Sequence, residues 1–294
     1  MKFGYGSVSG HLFPFAYVQG QYYDITGITD IPWEDNCMSI SEKVDVLVRT
    51  GELKPLNIDF KKEIPIQHVN QIRDFYAFEE HVRNSRKSRG LGMIDQWFQV
   101  PIYYFTNRDS LIPSGADLVK PDFTDKLDLE VEIGIVLSKG GRDIASSDAM
   151  DHVLGLTLMN DWSARDIWAN VESKLNLGPS KSKDFATSMG PYITTIDELD
   201  GLWNGKSFDI GVKSYINGEQ FSDSNMKDIY WGIPKLIEYC SMGTELKAGD
   251  ILMTGTMPGG CIFERGDGFR PWLRAGDTVE IRSDVLGSLT NRVI

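Results

Sequence analysis

Asp128-Leu129-Glu130-Val131-Glu132-Ile133-Gly134-Ile135-Val136-Leu137 is the stretch that decides the class of fold. Its first six residues alternate acidic and apolar. On a strand, Asp128, Glu130 and Glu132 then share one face and Leu129, Val131 and Ile133 the other. Its last four residues are apolar without alternation, the pattern of a strand covered on both sides. Read alone, the acidic half also fits the solvated face of an edge strand, and the apolar continuation argues against that. Neighbours on one face stand roughly 6.5–7 Å apart along a strand. Two glutamates so placed can converge on one cation, and without a cation they repel.

Working outward, residues 153–159 form a second apolar strand after a helical-looking 146–152. That strand runs into Asn160-Asp161-Trp162-Ser163-Ala164-Arg165-Asp166. Ser163 with Asp166 three positions on has the form of a capping box, which predicts that a helix begins here. Asp161 then sits at a strand-to-helix junction, although a turn role is the commoner fate of a lone aspartate. Upstream, residues 73–82 read as a helix. A spacing of seven turns such a chain through about 700°, which brings Asp74 and His81 to one side of the stripe Phe75, Phe78 and Val82. A single histidine there is more often a hydrogen-bonded structural residue than a catalyst; its pairing with Asp74 makes it a candidate. Downstream candidates are Lys183 in Ser182-Lys183-Asp184-Phe185-Ala186-Thr187, Thr256 after Gly255, and Glu264. Glu264 follows three apolar residues, a place where a carboxylate needs a partner.

At the N-terminus, residues 15–18 and 22–25 flank Gln19-Gly20-Gln21 as a hairpin. A helix follows over residues 41–50 and stops at Gly51. Residues 54–67, with two prolines and mixed charge, read as a linker. The boundary falls near residue 65, between a small N-terminal domain (1–65) and a catalytic domain (66–294). Pro234 opens a helix with Leu236, Ile237 and Cys240 on one face, closed by Gly243. The class is mostly β with short helices, of α+β type.

The totals limit the function. The 294 residues are 41% hydrophobic and 24% charged, enough for a sizeable core. Thirty basic residues against 42 acidic leave a net charge of −12. That surface repels phosphate backbones and anionic lipids, which argues against nucleic-acid and membrane partners. Cys37, Cys240 and Cys261 are odd in number and lack CxxC spacing, so they read as small buried apolar residues rather than as disulfides or a zinc site. No apolar leader opens the chain and no stretch approaches membrane-spanning length, so a cytoplasmic location is expected.

Glu130-Val131-Glu132, residues 159–166, residues 183–187 and Gly255-Thr256, in this order and spacing, resemble fumarylacetoacetate hydrolase and its relatives from about residue 70 to the C-terminus. The resemblance implies a mixed β-sandwich roll, usually a homodimer, often behind a small N-terminal domain. It implies that Asp74, Glu130, Glu132 and Asp161 hold Mg2+, alternatively Mn2+ or Ca2+, with Lys183 and Thr187 beside it. His81 resembles the general base and Glu264 the acid that orients it. Arg165 and Lys183 resemble the groups that stabilise oxyanions, and Tyr76, Tyr104 and Thr256 substrate contacts. The implied reaction is hydrolysis of a carbon–carbon bond in a β-diketo, acylpyruvate-like acid, through a metal-stabilised enolate and water activated by His81. The alternative is a metal-dependent lyase of the same family: a 2-oxo acid decarboxylase, hydratase or isomerase. Fumarylacetoacetate hydrolase has glutamine after the Arg-Asp-Ile run, where this chain has Trp168.

Overall fold

The computed structural model describes residues 1–29, 31–175, 178–266 and 268–294. Among these, one large sheet runs in the order Gln21–Asp24, His11–Val18, Lys2–Val8, Thr187–Thr195, Val153–Asp161, Val131–Leu137, Ile251–Met253, Ile72–Phe75 and Tyr103–Thr106. Lys61–Lys62 and Leu111–Pro113 pair beside this path. A second sheet runs Glu219–Asn225, Gly211–Ile216, Thr278–Ser283, Gly287–Val293 and Asp117–Leu118. The mostly β reading holds. No helix among the described residues is long and apolar enough to cross a membrane.

Alternation along the strands sorts the core into two layers. Val131, Ile133, Ile135 and Leu137 face the second sheet, meeting Val212, Ile216, Val279, Ile281 and Leu289 together with the helix Ile233–Ser241. The even face of the same strand carries Val136, which packs with Ile72, Met159, Met253 and the N-terminal residues Phe3, Trp33, Ile40 and Val44. Glu132 lies on that even face, four residues before Val136. The carboxylates therefore stand where an apolar sheet face stops being covered by the N-terminal segment.

That segment contains the expected hairpin, and its helix runs Cys37–Thr50 with Gly51 in the left-handed conformation as its cap. Lys2 and Phe3 pair with Thr194 and Ile193, so the sequence on the two sides of residue 65 shares one sheet and one core layer.

Three local expectations need correcting. Residues 73–82 are not one helix. Ile72–Phe75 is a strand, paired with Ile251–Met253 on one side and Tyr103–Thr106 on the other, and the helix Glu79–Lys87 starts only afterwards. Pairing with two distant strands outweighs a helical period spread over ten residues. Residues 146–152 form only a 3-10 turn at Ala149–His152. A helical turn does begin at Arg165, but the capping box is absent. Ser163 donates instead to the Asp161 carbonyl, and Asp166 accepts from Thr124 and the Asp125 amide.

Candidate active site

Four carboxylates converge at one end of the central strands. Asp74 sits opposite Tyr104 in the register, and Asp161 ends its strand opposite Thr187. Glu132 is the second residue of Val131–Leu137, and Glu130 precedes that strand. All four side chains are buried. Glu132 accepts from the Gly255 amide at 3.0 Å. Gly255 has a φ of +79°, and a Cβ there would lie 2.3 Å from the Phe75 carbonyl oxygen, so only glycine brings that amide in.

Two groups lie between the carboxylates. Lys183 donates to Asp161 at 2.7 Å and to Glu130. The Tyr104 hydroxyl stands 2.5 Å from both Asp74 Oδ2 and Asp161 Oδ2. One hydroxyl hydrogen cannot serve two ionised carboxylates, so this contact needs an extra positive charge or an extra proton. Asp74 Oδ1 and Glu132 Oε1 are buried with no hydrogen-bond partner.

Burial, then the charge of Asp161, pushes Asp74 well above the ordinary carboxylate range. Burial, then Asp74, Glu130 and Asp161, does the same to Glu132. Burial also raises Asp161, with Lys183 opposing. At Glu130 burial acts upward too, but Arg165 and Lys183 outweigh it and hold the carboxyl well below its usual range.

Orphaned oxygens, mutual repulsion and a donor set made only of oxygen fit a hard divalent cation. The carboxylates are not drawn tight. Among the described residues, the one trio of His, Cys or carboxylate ligand atoms within 4.8 Å of one another is His81, Cys261 and Glu264. A cation held by the carboxylates has to loosen the Lys183 or Tyr104 bridge.

Across the cavity, the first turn of the helix Glu79–Lys87 presents His81. Its Nδ1 lies 3.1 Å from Glu264 Oε1, both side chains buried. The other oxygen of Glu264 accepts from the Gly259 amide. Where the Glu264 oxygen accepts, a neutral imidazole carries its hydrogen on Nδ1 and its lone pair on Nε2. Ser85 Oγ stands 3.4 Å from Nε2, and the Tyr76 ring lies edge-on to the imidazole at 5.3 Å. Burial pushes the Tyr76 phenol up to about 12, so it stays protonated as a donor.

Arg165 donates to Asp128 at 2.8 Å and to Glu130 at 2.6 Å. Asp128, which shares the acidic strand face but has no role in the sequence reading, also accepts from the Leu129, Ile262 and Phe263 amides. It ties Arg165 to the segment carrying Glu264. Asp128→Asn leaves the buried guanidinium with Glu130 alone and turns one accepting oxygen into a donor. Losing that accepting oxygen among buried donors costs about 1–3 kcal/mol. Urea unfolding should show that loss, and an unchanged midpoint would refute the anchoring role.

A cavity of about 560 Å³ joins these groups, lined by Asp74, Glu130, Glu132, His81, Arg165, Lys183, Tyr76, Tyr104, Thr256 and Trp168. Asp161 and Glu264 stand behind it, the first in contact with Lys183 and Tyr104, the second with His81. Among the described residues, none before 66 lines it. Glu172 is a position that sequence reasoning missed. It accepts from the amides and hydroxyls of Ser180 and Ser182, which secures the loop delivering Lys183. Arg89 is another, its guanidinium 4.8 Å from the Trp168 ring at the rim. The alternation Ser180-Lys181-Ser182-Lys183 was the one sequence signal for the first of these.

The family model for the C-terminal domain of fumarylacetoacetate (FAA) hydrolase matches residues 70–294. The chain belongs to the fumarylacetoacetate hydrolase family. Its relatives include a fumarylacetoacetase of Oryza sativa subsp. japonica, 29% identical over 75% of this chain and 65% of that protein. The oxaloacetate tautomerase YisK of Bacillus subtilis is 36% identical over 64% of this chain and 60% of that protein. The chain thus spans somewhat under two thirds of these relatives. In fold it matches a fumarylacetoacetate hydrolase of Exiguobacterium antarcticum, with a TM-score of 0.76, 23% identity and coverage of 100% and 99%. It also matches a Sphingobium maleylpyruvate hydrolase in complex with manganese and pyruvate, with a TM-score of 0.75, 20% identity and the same coverage. Proteins named as fumarylacetoacetase and as oxaloacetate tautomerase are thus among this chain's relatives, and a solved neighbour of the same fold holds manganese.

Proposed function

We propose that the chain is a divalent-metal-dependent enzyme hydrolysing a carbon–carbon bond in a β-diketo, acylpyruvate-like acid. The observation that carries this is the buried His81–Glu264 pair, 3.1 Å apart, sharing one cavity with the carboxylates. Asp74, Glu130, Glu132 and Asp161 would hold Mg2+, alternatively Mn2+ or Ca2+, and the bound cation would supply Lewis-acid polarisation of substrate oxygens. His81 Nε2 takes a proton from water, while Glu264 keeps the Nδ1 hydrogen and stabilises the imidazolium. The hydroxide attacks the carbonyl carbon. Arg165 and Lys183 offer hydrogens to the oxyanion, a term of roughly 3–4 kcal/mol per donor in comparable sites. The carbon–carbon bond then breaks and the imidazolium returns its proton to the departing carbon. Tyr76, Tyr104 and Thr256 orient the substrate oxygens.

A second reading, a 2-oxo acid isomerase or lyase, is favoured by the tautomerase relative at 36% identity. Tautomerisation moves one proton between carbon and oxygen and consumes no water. Purified protein with Mg2+ is to be tested against a panel of acylpyruvates and against enolic oxaloacetate. Cleavage of an acylpyruvate supports the first reading. Acceleration of enol–keto conversion without any cleavage replaces it by the second.

Trp168 lines the cavity, and the resemblance gives its place to a glutamine in fumarylacetoacetate hydrolase. Trp168→Gln is expected to change the ranking of acyl chains by about tenfold or more while Mg2+ affinity holds, since one lost apolar contact is worth roughly 1–3 kcal/mol. An unchanged ranking would show that the position does not read the substrate. We also propose that residues 1–65 are a covering unit outside the chemistry and that the assembly is a cytoplasmic homodimer. Light scattering that returns a monomer would overturn the dimer.

A further inference from the structure

Cys261 is fully buried beside the base, and its sulfur, a ring nitrogen of His81 and a carboxylate oxygen of Glu264 lie within 4.8 Å of one another. Four backbone amides fix this corner. Asp128 accepts from the amides of Ile262 and Phe263, the two residues after Cys261. Glu264 Oε2 accepts from Gly259, and the Gly260 amide closes a turn onto Met257. Sulfur, nitrogen and oxygen together are a poor set for Mg2+ or Ca2+, which select oxygen, and a good one for zinc.

We propose that Cys261, His81 and Glu264 form a second, borderline-soft cation site of the zinc class, and that filling it switches the enzyme off. The binding is independent of the function proposed above; the switching rests on His81 being the base. His81 Nδ1 and Glu264 Oε1 stand 3.1 Å apart, and a tetrahedral zinc holds nitrogen and oxygen ligands roughly 3.3–3.5 Å apart. The pair therefore has to open only slightly. Glu264 keeps Oε2 on Gly259 and offers Oε1.

The proton balance is simple. The imidazole stays neutral, losing hydrogen from Nδ1 and gaining it on Nε2, where Ser85 Oγ at 3.4 Å can accept it as the outer partner that zinc-bound histidines use. Cys261 loses its thiol proton to solvent, so one proton leaves per cation bound. Burial, then the neighbouring Asp128, holds that thiol well above its usual range, and a divalent cation offsets this directly. With Nε2 protonated, no lone pair remains to take a proton from water. Mg2+ on the carboxylates and zinc on this trio would be held at once, by different ligand chemistry.

The test uses the full chain with saturating Mg2+, so that the carboxylates are filled, and Co2+ as the spectroscopic stand-in for zinc. Wild type should develop a near-ultraviolet thiolate-to-cobalt charge-transfer band that saturates at one equivalent and is displaced by zinc. Cys261→Ser, which keeps an oxygen ligand, should lose that band, and Cys261→Ala should bind zinc more weakly by more than roughly 10-fold, since even an outer partner costs 10–100-fold. No band in wild type, or the same band in Cys261→Ser, overturns the site. For the switch, turnover with zinc is compared with turnover without it, within each protein. Inhibition by stoichiometric zinc in wild type, shifted to higher zinc in Cys261→Ala, supports it. A cobalt band with turnover untouched by zinc leaves the site standing and overturns the switch. If no substrate is turned over at all, the band and the released proton still decide the site.

Discussion

His81→Ala is expected to lower β-diketo acid hydrolysis by roughly 10²–10⁴-fold, the usual contribution of a general base, with Mg2+ affinity nearly intact. The loss should be this large because Asp74 and Glu132 would be taken up by the cation, and the other side chains named next are poorly placed to accept a proton. Among the cavity-lining residues, Tyr76 is held protonated by burial, with its phenol at about 12. Lys183 is driven well above its ordinary value because Asp161 and Glu130 outweigh its desolvation, so it holds its proton. Glu130 is held ionised by Arg165 and Lys183 and accepts from both. His81, oriented through Nδ1 by Glu264, turns Nε2 and the Ser85 hydroxyl beside it away from that carboxylate. The Mg2+ affinity should survive because His81 makes no hydrogen bond to any of the four carboxylates. Glu264→Gln should lose less, since the imidazole remains but its Nδ1 hydrogen no longer faces a charge. Decarboxylation of oxaloacetate, which needs an electron sink and no activated water, should be comparatively spared. Rates of both reactions at saturating Mg2+ in both variants decide it. Near wild-type hydrolysis in His81→Ala would remove the main support for the hydrolase reading.

Glu132→Gln is expected to weaken Mg2+ binding by more than roughly 100-fold, since partners one shell further out already cost 10–100-fold, and at the same time to stabilise the metal-free protein. Glu132 is the informative position because it accepts only the Gly255 amide and leaves Oε1 unpartnered against Asp74 and Asp161. Glutamine keeps an oxygen for Gly255 and removes a repelling charge. Glu130 is a poor choice, because Glu130→Gln also weakens the buried ion pairs of Arg165 and Lys183 and confounds binding with folding. With the folded carboxyls of Asp74, Glu132 and Asp161 raised, the folded metal-free chain binds more protons than the unfolded one there. Its stability falls as pH rises through those values. Glu130, whose value is lowered, acts in the opposite sense as pH falls. Glu132→Gln should flatten the alkaline side of this profile and raise the metal-free melting temperature by about 2–4 °C, the equivalent of 1 kcal/mol in a domain of this kind. Calorimetric titration and melting curves with and without Mg2+ measure both effects. Unchanged affinity would sink the ligand assignment.

Local pattern carried much of this. The alternation of Asp128 to Ile133, the apolar run to Leu137 and the turn at Gly51 are properties of neighbouring residues, and side-chain period alone assigns them to strands, faces and caps. The ordered motifs from Glu130 to Thr256 identified the family, because their residue types and spacings recur together. Other features depended on distant partners. Residues 72–75 became a strand because two segments, 30 and 180 positions away, supply its hydrogen bonds, and no local period encodes that. Ser163 and Asp166 match a capping box in type and spacing, yet Ser163 donates back to the Asp161 carbonyl and Asp166 is taken by Thr124 and the Asp125 amide, some 40 positions away. The placement of Cys261 against His81 and Glu264 joins residues 180 apart, and Asp128 acquired its role only when the chain folded Arg165 and the 259–264 segment around it. Sequence by itself determined which residues could act; tertiary structure decided which oxygens are left without a donor, because burial and long-range pairing are set only when the sheet closes.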